Sequence, residues 1–217
     1  MWCVPELDSD YIERMEDVLD VLEKPVDSAQ PVLALDERPV PLRSDVRPVR
    51  SSRPGKPLRR DSEYKRCGVA NVFAIVAPHE GRHFTHATRD RKSPRFARAM
   101  RSIARAYKDA ETIHLIVDNL STHTKKALTD AFGKLEGEAL WSRFTLHYTP
   151  KHGSWLNPAE IEISLWSRQC QGKDRIGTLS DLRKRTAQWN QRANRERRRI
   201  FWRFRTQDAR RVFKYRP

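Results

Sequence analysis

Apolar residues recur at helical spacing near the start of the chain. The apolar positions between residues 8 and 24 lie mostly three or four apart: Tyr11, Ile12, Met15, Val18, Leu19 and Leu22. This period is typical of an amphipathic helix, for which Asp8 or Asp10 can serve as the N-cap. A first helix is therefore predicted here, and two prolines follow its end.

Five short segments rich in apolar and β-branched residues predict strands. They are residues 32–36, 67–78, 81–90, 112–119 and 144–150. The second and third of these segments are typical of a β-hairpin, because only a Pro-containing and Gly-containing turn separates them. The fourth is almost continuously apolar, which indicates a central parallel strand with both faces covered.

Helical spacing returns between and after these strands. Helices are predicted at residues 93–107, at 124–135, from Pro158 onward, at 179–192 and at 207–214. The first of them has Ser93 as its expected N-cap. The order of elements predicts an α/β fold in which a mixed five-stranded sheet is flanked by helices. The first three strands are expected to pair as a meander, and the last two to join in parallel through crossover helices.

Charge is distributed unevenly along the chain, whose net charge is +15. Residues 1–37 carry 11 acidic against 2 basic residues, whereas residues 38–66 carry 10 basic against 3 acidic, and residues 168–217 carry 17 basic against 4 acidic. The segment 41–66 also holds four prolines and is predicted to be a loop or arm. Basic blocks of this size favour a polyanionic partner such as DNA, although a solvated basic surface has the same composition.

Several classes of protein are excluded by composition. No run of 18 apolar residues occurs, so no membrane span is expected. The acidic N-terminus lacks the features of a signal peptide, which makes a cytoplasmic location the expectation, with nucleoid association through DNA. Cys3, Cys67 and Cys170 are few and far apart, so neither a zinc site nor a disulfide framework is predicted.

Acidic residues stand at the ends of two predicted strands, at Asp36 and Asp118. Ligands gather at strand ends in open α/β sheets, but an aspartate there also often caps a turn. A third acid would come from Glu160 or Glu162, at the start of the helix for which Asn157 is the expected N-cap. Glu160 has a simpler explanation as well, since an acid in the first turn complements the helix dipole.

Three carboxylates without a cysteine or an obligatory histidine favour Mg²⁺ or Mn²⁺ over zinc. Two such ions can activate the attacking oxygen and stabilise the leaving oxygen of an in-line displacement at phosphorus. A phosphodiester substrate agrees with the basic blocks.

Three motifs along the chain resemble those of a known family. The motifs LALDERP, IVDNLSTH and YTPKHGSWLNPAEIE, in this order, resemble the DDE endonuclease domain of mariner-superfamily bacterial insertion-sequence transposases. Blocks before, between and after them extend the resemblance over essentially the whole chain. It implies an RNase H-like fold that acts on transposon ends and target DNA, without a membrane, and as a homo-oligomer when two ends are synapsed.

The resemblance also implies which residues form the site. The catalytic triad that holds two Mg²⁺ (or Mn²⁺) ions falls on Asp36, Asp118 and Glu160, with Glu162 as the alternative third acid. The 41 residues between Asp118 and Glu160 exceed the spacing of the eukaryotic relatives, so an insertion is expected within residues 125–148.

Polar residues beside these acids are candidates for secondary roles. Asn119 and His123 follow the second aspartate, where they can orient its carboxylate or contact a phosphate. A local turn or helix cap explains His123 equally well. Lys151 and His152, in the loop before the third acid, are candidates for DNA contact, as is Asn157 for support of the site.

The expected organisation is an N-terminal acidic helix and lead-in at residues 1–30, the endonuclease core at 31–178 and a basic helical extension at 179–217. The transposases carry a helix-turn-helix module ahead of the core, and no such basic recognition helix is visible here. The chain is therefore expected to be a catalytic part. The alternatives are a catalytically silent DNA-binding remnant or regulator, and a different RNase H-like nuclease such as a ribonuclease or resolvase.

Overall fold

In the computed structural model, which describes residues 7–215, the first helix is α1 (Ser9–Glu23). Asp8 is its N-cap, and the side chain accepts a hydrogen bond from the Tyr11 backbone N–H at 2.7 Å. The predicted apolar residues are buried except Ile12, which is half-buried. The prediction of this helix is confirmed. Cys3 lies outside the described residues.

The sheet has the predicted mixed pairing. Its strands are β1 (Val32–Asp45), β2 (Tyr64–Ala77), β3 (Arg82–His83), β4 (His86–Thr88), β5 (Ile113–Val117) and β6 (Phe144–Tyr148). Their order is β3-β2-β1-β5-β6, and β4 also pairs with β2. Pairing is antiparallel between β1 and β2 and from β2 to β3 and β4, and parallel from β1 to β5 and β6. The predicted third strand is thus divided into β3 and β4.

Strand β1 is much longer than predicted. It does not end at Asp36 but continues to Asp45, because β2 pairs with it along its whole length. Pro39 and Pro41 are tolerated here since β5 pairs only with the first residues of β1, which leaves one edge free. The prediction that residues 41–66 form a loop was therefore wrong at both ends, and the connection is limited to residues 46–63.

Six further α-helices follow in the described part of the chain. They are α2 (Ser93–Ala106), α3 (Lys125–Phe132), α4 (Lys134–Trp141), α5 (Ala159–Trp166), α6 (Leu179–Glu196) and α7 (Thr206–Phe213). The N-cap of α2 is Lys92 and not Ser93. Helix α4 was not predicted as a separate element, and Gly133, at φ +84°, lies between α3 and α4. Of residues 7–215, no helix combines the length and apolar character needed to cross a membrane.

The pleat of β1 separates two cores. Leu33 and Leu35 point into the core formed with α2 and α3, whereas Val32 and Ala34 point into the core formed with α1 and the start of α5. Because side chains alternate along a strand, Asp36 faces the α5 side of the sheet and the next residue faces the α2 side.

A third core fixes the far end of α5. The indole of Trp166, fully buried at the end of this helix, packs among apolar residues of β1, β2 and α6. Its Nε1 donates to the Thr186 hydroxyl of α6 at 3.3 Å. Helix α5 is therefore held between the sheet and α6, which gives its first turn a defined position.

Candidate active site

The parallel pairing of β1 and β5 brings two predicted acids together. Ala34 of β1 is level with Ile116 of β5, and two residues farther along each strand stand Asp36 and Asp118. Neighbouring strands lie about 4.8 Å apart, so the two carboxylates lie close together, and the charge of Asp118 contributes to the raised pKa of Asp36. Asp36 lies within β1, whereas Asp118 is the first residue after β5.

The third predicted acid, Glu160, is positioned by an asparagine at the start of α5. The Asn157 side chain donates from Nδ2 to the Leu35 carbonyl at 2.9 Å and accepts from the Ala159 N–H at 3.1 Å. Asn157 is buried, and these two bonds attach the helix start to β1 one residue before Asp36. Helix α5 begins at Ala159, so the exposed Glu160 lies in its first turn beside the two aspartates.

The three carboxylates influence one another electrostatically. Burial, with the negative charges of Glu160 and Asp118, raises the pKa of Asp36 to about 7. The N–H of Glu37 donates to Asp36 Oδ1 at 2.6 Å and only partly opposes this shift. An acid such as Asp36, whose pKa is raised by burial and by neighbouring carboxylates, gains from a bound cation.

Asp118 is held by a buried histidine. The Nδ1 atom of His123 lies 3.0 Å from the Asp118 carbonyl oxygen, to which it donates, and 2.9 Å from Asp118 Oδ1. Its Nε2 lies 3.0 Å from Glu37 Oε1. Burial opposes protonation, but the contacts with Asp118 and Glu37 outweigh burial and raise the pKa of His123 to about 10. His123 is therefore an imidazolium that donates from both nitrogens.

The same cation acts on the aspartate. Burial alone would raise the pKa of Asp118. The contact with the positive His123 outweighs burial and lowers this pKa below its ordinary value. Asp118 is therefore ionised while its neighbour Asp36 is partly protonated near neutral pH. Two neighbouring acids whose pKa values are shifted in opposite directions are typical of functional sites.

Glu37 was missed by the sequence analysis. Its side chain is only 1% exposed and faces the α2 side of the sheet, where His123 neutralises it. Donor atoms of Glu37, Asp118 and His123 all lie within 4.8 Å of one another. We interpret this group as an ion-paired network and not as a metal site, because an imidazolium has no free lone pair. The available signal was the strand alternation, which places residue 37 opposite Asp36.

Glu162 points away from the other acids. Its Oε2 lies 2.8 Å from His83 Nε2, and both side chains are nearly fully buried. Glu162 is only 3% exposed, whereas the apolar Ile161 beside it is 41% exposed. The helix turns by about 100° per residue, so residues 160 and 162 face different sides. This placement favours Glu160 as the third acid.

The other predicted residues lie at the surface. Asn119, Lys151 and His152 are exposed, and His152 has a positive φ of 62°. Within residues 7–215, none of their side chains hydrogen-bonds to the three acids. Trp155, in the same loop as Lys151, packs against Phe204.

Replacing Asn157 by Ala is expected to destabilise the protein by about 2 to 4 kcal/mol, since it leaves a buried carbonyl and a buried N–H without partners. Urea denaturation measures the change. The exposed Asn119→Ala variant is the matched control and should lie within about 0.5 kcal/mol of the wild type. Equal stability of the two variants would contradict the role given to Asn157.

Comparisons with known proteins agree with this architecture. A sequence profile described as DDE superfamily endonuclease matches residues 31–183. The Mos1 mariner paired end complex with Mn has a chain that aligns at a TM-score of 0.57 with 15% identity, over 90% of this chain and 59% of that one.

A second solved structure gives the same result. The Mos1 transposase paired-end complex with left transposon end aligns at a TM-score of 0.57 with 15% identity, over 91% of this chain and 62% of that one. These matches confirm the predicted RNase H-like α/β fold. The chain spans about three fifths of the length of these solved chains. Among curated proteins, the comparison finds no match.

Proposed function

The chain belongs to the DDE superfamily endonuclease family, and on this premise we propose that it cleaves DNA and joins DNA strands in transposition. The observation that carries the proposal is the cluster of Asp36, Asp118 and Glu160, in which the neighbouring charges and burial raise the pKa of Asp36 to about 7. One Mos1 structure is a complex with Mn and the other is a complex with the left transposon end, which supports a metal ion and DNA as ligands of this chain.

We propose that this cluster would hold two Mg²⁺ or Mn²⁺ ions. All three side chains offer carboxylate oxygens, which hard divalent cations prefer. Asp118 Oδ1 is buried and lies 2.9 Å from the His123 imidazolium, but it accepts no hydrogen bond of regular geometry among the described residues, so it keeps a lone pair that a cation could use. Asp36, Asp118 and Glu160 would hold the ions. When bound, such ions stabilise negative charge on phosphate oxygens and lower the pKa of water.

The chain itself supplies the geometry. Strand β1 fixes Asp36, the His123 imidazolium fixes and ionises Asp118, and Asn157 fixes the helix turn that carries Glu160. A set of carboxylates held by buried partners needs little reorganisation when substrate binds. We assign the exposed Lys151 and His152, in the loop before α5, to contacts with DNA phosphates.

The proposal extends to partners and organisation. We propose transposon ends and target DNA as the ligands, and a homo-oligomer as the form that synapses two ends. We also propose that residues 31–178 form the endonuclease core, between an N-terminal lead-in at 1–30 and a basic extension at 179–217. The basic residues of the connection 46–63 support a DNA ligand.

The test is cleavage of plasmid DNA and of a labelled duplex that carries a transposon end, with Mg²⁺ or Mn²⁺. Wild-type protein is expected to cleave, and Asp118→Asn is expected to bind DNA without cleaving it. A wild type that binds metal and leaves both DNAs intact would overturn the proposal in favour of a silent DNA-binding protein. Preferential cleavage of an RNA–DNA hybrid or a four-way junction would indicate a different RNase H-like nuclease.

Asp36→Asn is expected to stabilise the metal-free protein above about pH 8. The pKa of Asp36 is raised from 3.8 to about 7 in the folded state, so the wild type loses stability as the pH rises through this window. The loss in the free energy of unfolding amounts to at most about 4 kcal/mol, at 1.36 kcal/mol per pKa unit. The variant does not lose this stability, because asparagine does not ionise. Thermal denaturation in EDTA measures the difference, which should vanish near pH 4, where both side chains are neutral.

Mg²⁺ provides the control for this prediction. At about 100 times its Kd it should stabilise the wild type by roughly 3 kcal/mol and Asp36→Asn much less. An Asp36→Asn variant that is less stable than the wild type in EDTA at high pH would contradict the proposed charge cluster.

A further inference from the structure

A second surface with chemistry of its own lies between α2 and α6. This groove, which we call the α2–α6 groove, has a volume of about 900 Å³. Its floor is formed by β3 and β4, and its walls include Arg98 and Ser102 of α2 and Lys184 and Gln188 of α6. None of the three acids of the candidate active site lines it.

The α2–α6 groove is positively charged and its charges are not neutralised. Arg98, Arg183 and Lys184 line it, and in the part of the chain from 7 to 215 no Asp or Glu does. Arg185, which follows Lys184 in the chain, pairs with Asp174 and Asp181. The three cations that line the groove, in contrast, form no ion pair among the described residues. Unpaired cations in one concave surface attract a polyanion.

The wall formed by α6 is fixed to the sheet. Asn194 accepts from the N–H of His83 and donates to its carbonyl, both at 2.8 Å. Asn190 accepts from the Thr85 N–H at 2.9 Å. These bonds satisfy the outer edge of the sheet, so the cations of α6 project from a rigid support.

The spacing of the cations suits a polymer better than a small anion. On α6, Arg195 lies on the same helical face as Lys184 and Gln188, and eleven residues separate Lys184 from Arg195, or about 16 Å. On α2, Arg105 continues the face of Arg98 at a distance of roughly 10 Å. Both distances cover several consecutive phosphates of a DNA strand, which rise about 3.4 Å per nucleotide.

The α2–α6 groove is connected to the candidate active site through one contact. His83, which lines the groove, hydrogen-bonds to Glu162 of α5, and the same helix carries Glu160 in its first turn. A DNA duplex that occupies the groove therefore lies against β3, whose His83 contacts the helix that carries Glu160.

We propose that the α2–α6 groove binds the phosphate backbone of duplex DNA outside the segment that is cleaved. The inference rests on the proposed function, because its ligand is the DNA on which the carboxylate site acts. The contacts are sequence-independent, since the groove offers guanidinium, ammonium and amide donors for phosphate oxygens. The groove would thereby add affinity and set the direction in which the duplex leaves the site.

Charge reversal in the groove tests the proposal. The variant Arg98→Glu/Lys184→Glu is compared with Lys108→Glu/Lys134→Glu, which changes the net charge equally at exposed residues that do not line the groove. Binding of a fluorescein-labelled DNA duplex is measured by anisotropy in EDTA over a range of salt concentrations. The neutral variant Arg98→Gln/Lys184→Gln is measured in parallel, and circular dichroism checks that each variant is folded.

The groove variant is expected to lose at least about tenfold in affinity, and its slope of log Kd against log salt should fall by about 2. The neutral variant should show the same change in slope. The control variant should stay within about twofold of the wild type. Equal losses in groove and control variants would overturn the proposal. So would unchanged DNA binding with lost binding of poly-glutamate, which would indicate an acidic protein partner.

The assays distinguish a failure of the proposed catalytic function from a failure of the groove proposal. Because EDTA removes divalent ions, the binding assay does not depend on cleavage. Absent cleavage with groove-dependent binding would refute the catalytic proposal alone. Normal cleavage with no groove effect would refute the groove alone.

Discussion

Glu160→Gln is expected to abolish metal-dependent DNA cleavage, while Glu162→Gln retains most of it. Glu160 lies beside Asp36 and raises its pKa, whereas Glu162 is buried against His83. Changes in groups that merely support metal ligands cost roughly 10- to 100-fold in activity or metal affinity, so loss of a ligand should cost more. Nicking of supercoiled plasmid in Mn²⁺ measures both variants.

The pair of variants is matched because both exchange one carboxylate for an amide on the same helix. Glutamine at 162 retains a carbonyl oxygen that can accept from His83 Nε2, so its fold should persist. DNA binding should be similar for both variants. If Glu162→Gln loses cleavage and Glu160→Gln keeps it, the third acid is Glu162 and the assignment is wrong.

His123→Leu is expected to destabilise the protein by about 3 to 5 kcal/mol, because it removes one partner of a buried ion pair. The Glu37 side chain is 1% exposed and His123 is 0% exposed, so water cannot replace the lost cation. The Asp118 carbonyl also loses its hydrogen bond. Urea denaturation at neutral pH measures the effect, with the exposed Lys151→Leu as control.

A second substitution tests whether the unpaired Glu37 carboxylate causes this loss of stability. Glu37→Leu in the His123→Leu background removes the uncompensated carboxylate, so the double variant should be more stable than His123→Leu alone. A His123→Leu variant within about 1 kcal/mol of the wild type would show that His123 does not hold Glu37 as an ion pair.

The core of the fold could be predicted from local patterns. The parallel strand β5 has five buried residues in succession, and such a run leaves few alternatives to a central strand. The long extension of β1 could not be predicted, because Pro39, Pro41 and several arginines are typical of a loop. Pairing with β2 stabilises this stretch as a strand, and that pairing is a tertiary contact.

The candidate site could be predicted where local sequence patterns determine the positions of its residues. Asp36 and Asp118 follow apolar strand residues, and the register of β1 and β5 brings them together. The sequence could not show which of the two glutamates is buried, because this depends on the exact residue at which α5 begins. Strand alternation places Glu37 on the face opposite Asp36, but its burial could not be predicted, because a charged residue in a strand is ordinarily solvent-exposed. Its partner His123 is 86 residues away in sequence.

The central claim is that Asp36, Asp118 and Glu160 form a divalent metal site, and anomalous diffraction from crystals grown with Mn²⁺ tests it most directly. Wild-type crystals are expected to show anomalous density between these three carboxylates, and Asp118→Asn crystals are expected to show much less there. Density at Glu37 and His123 instead, or none at the three acids in protein saturated with Mn²⁺, would contradict the claim.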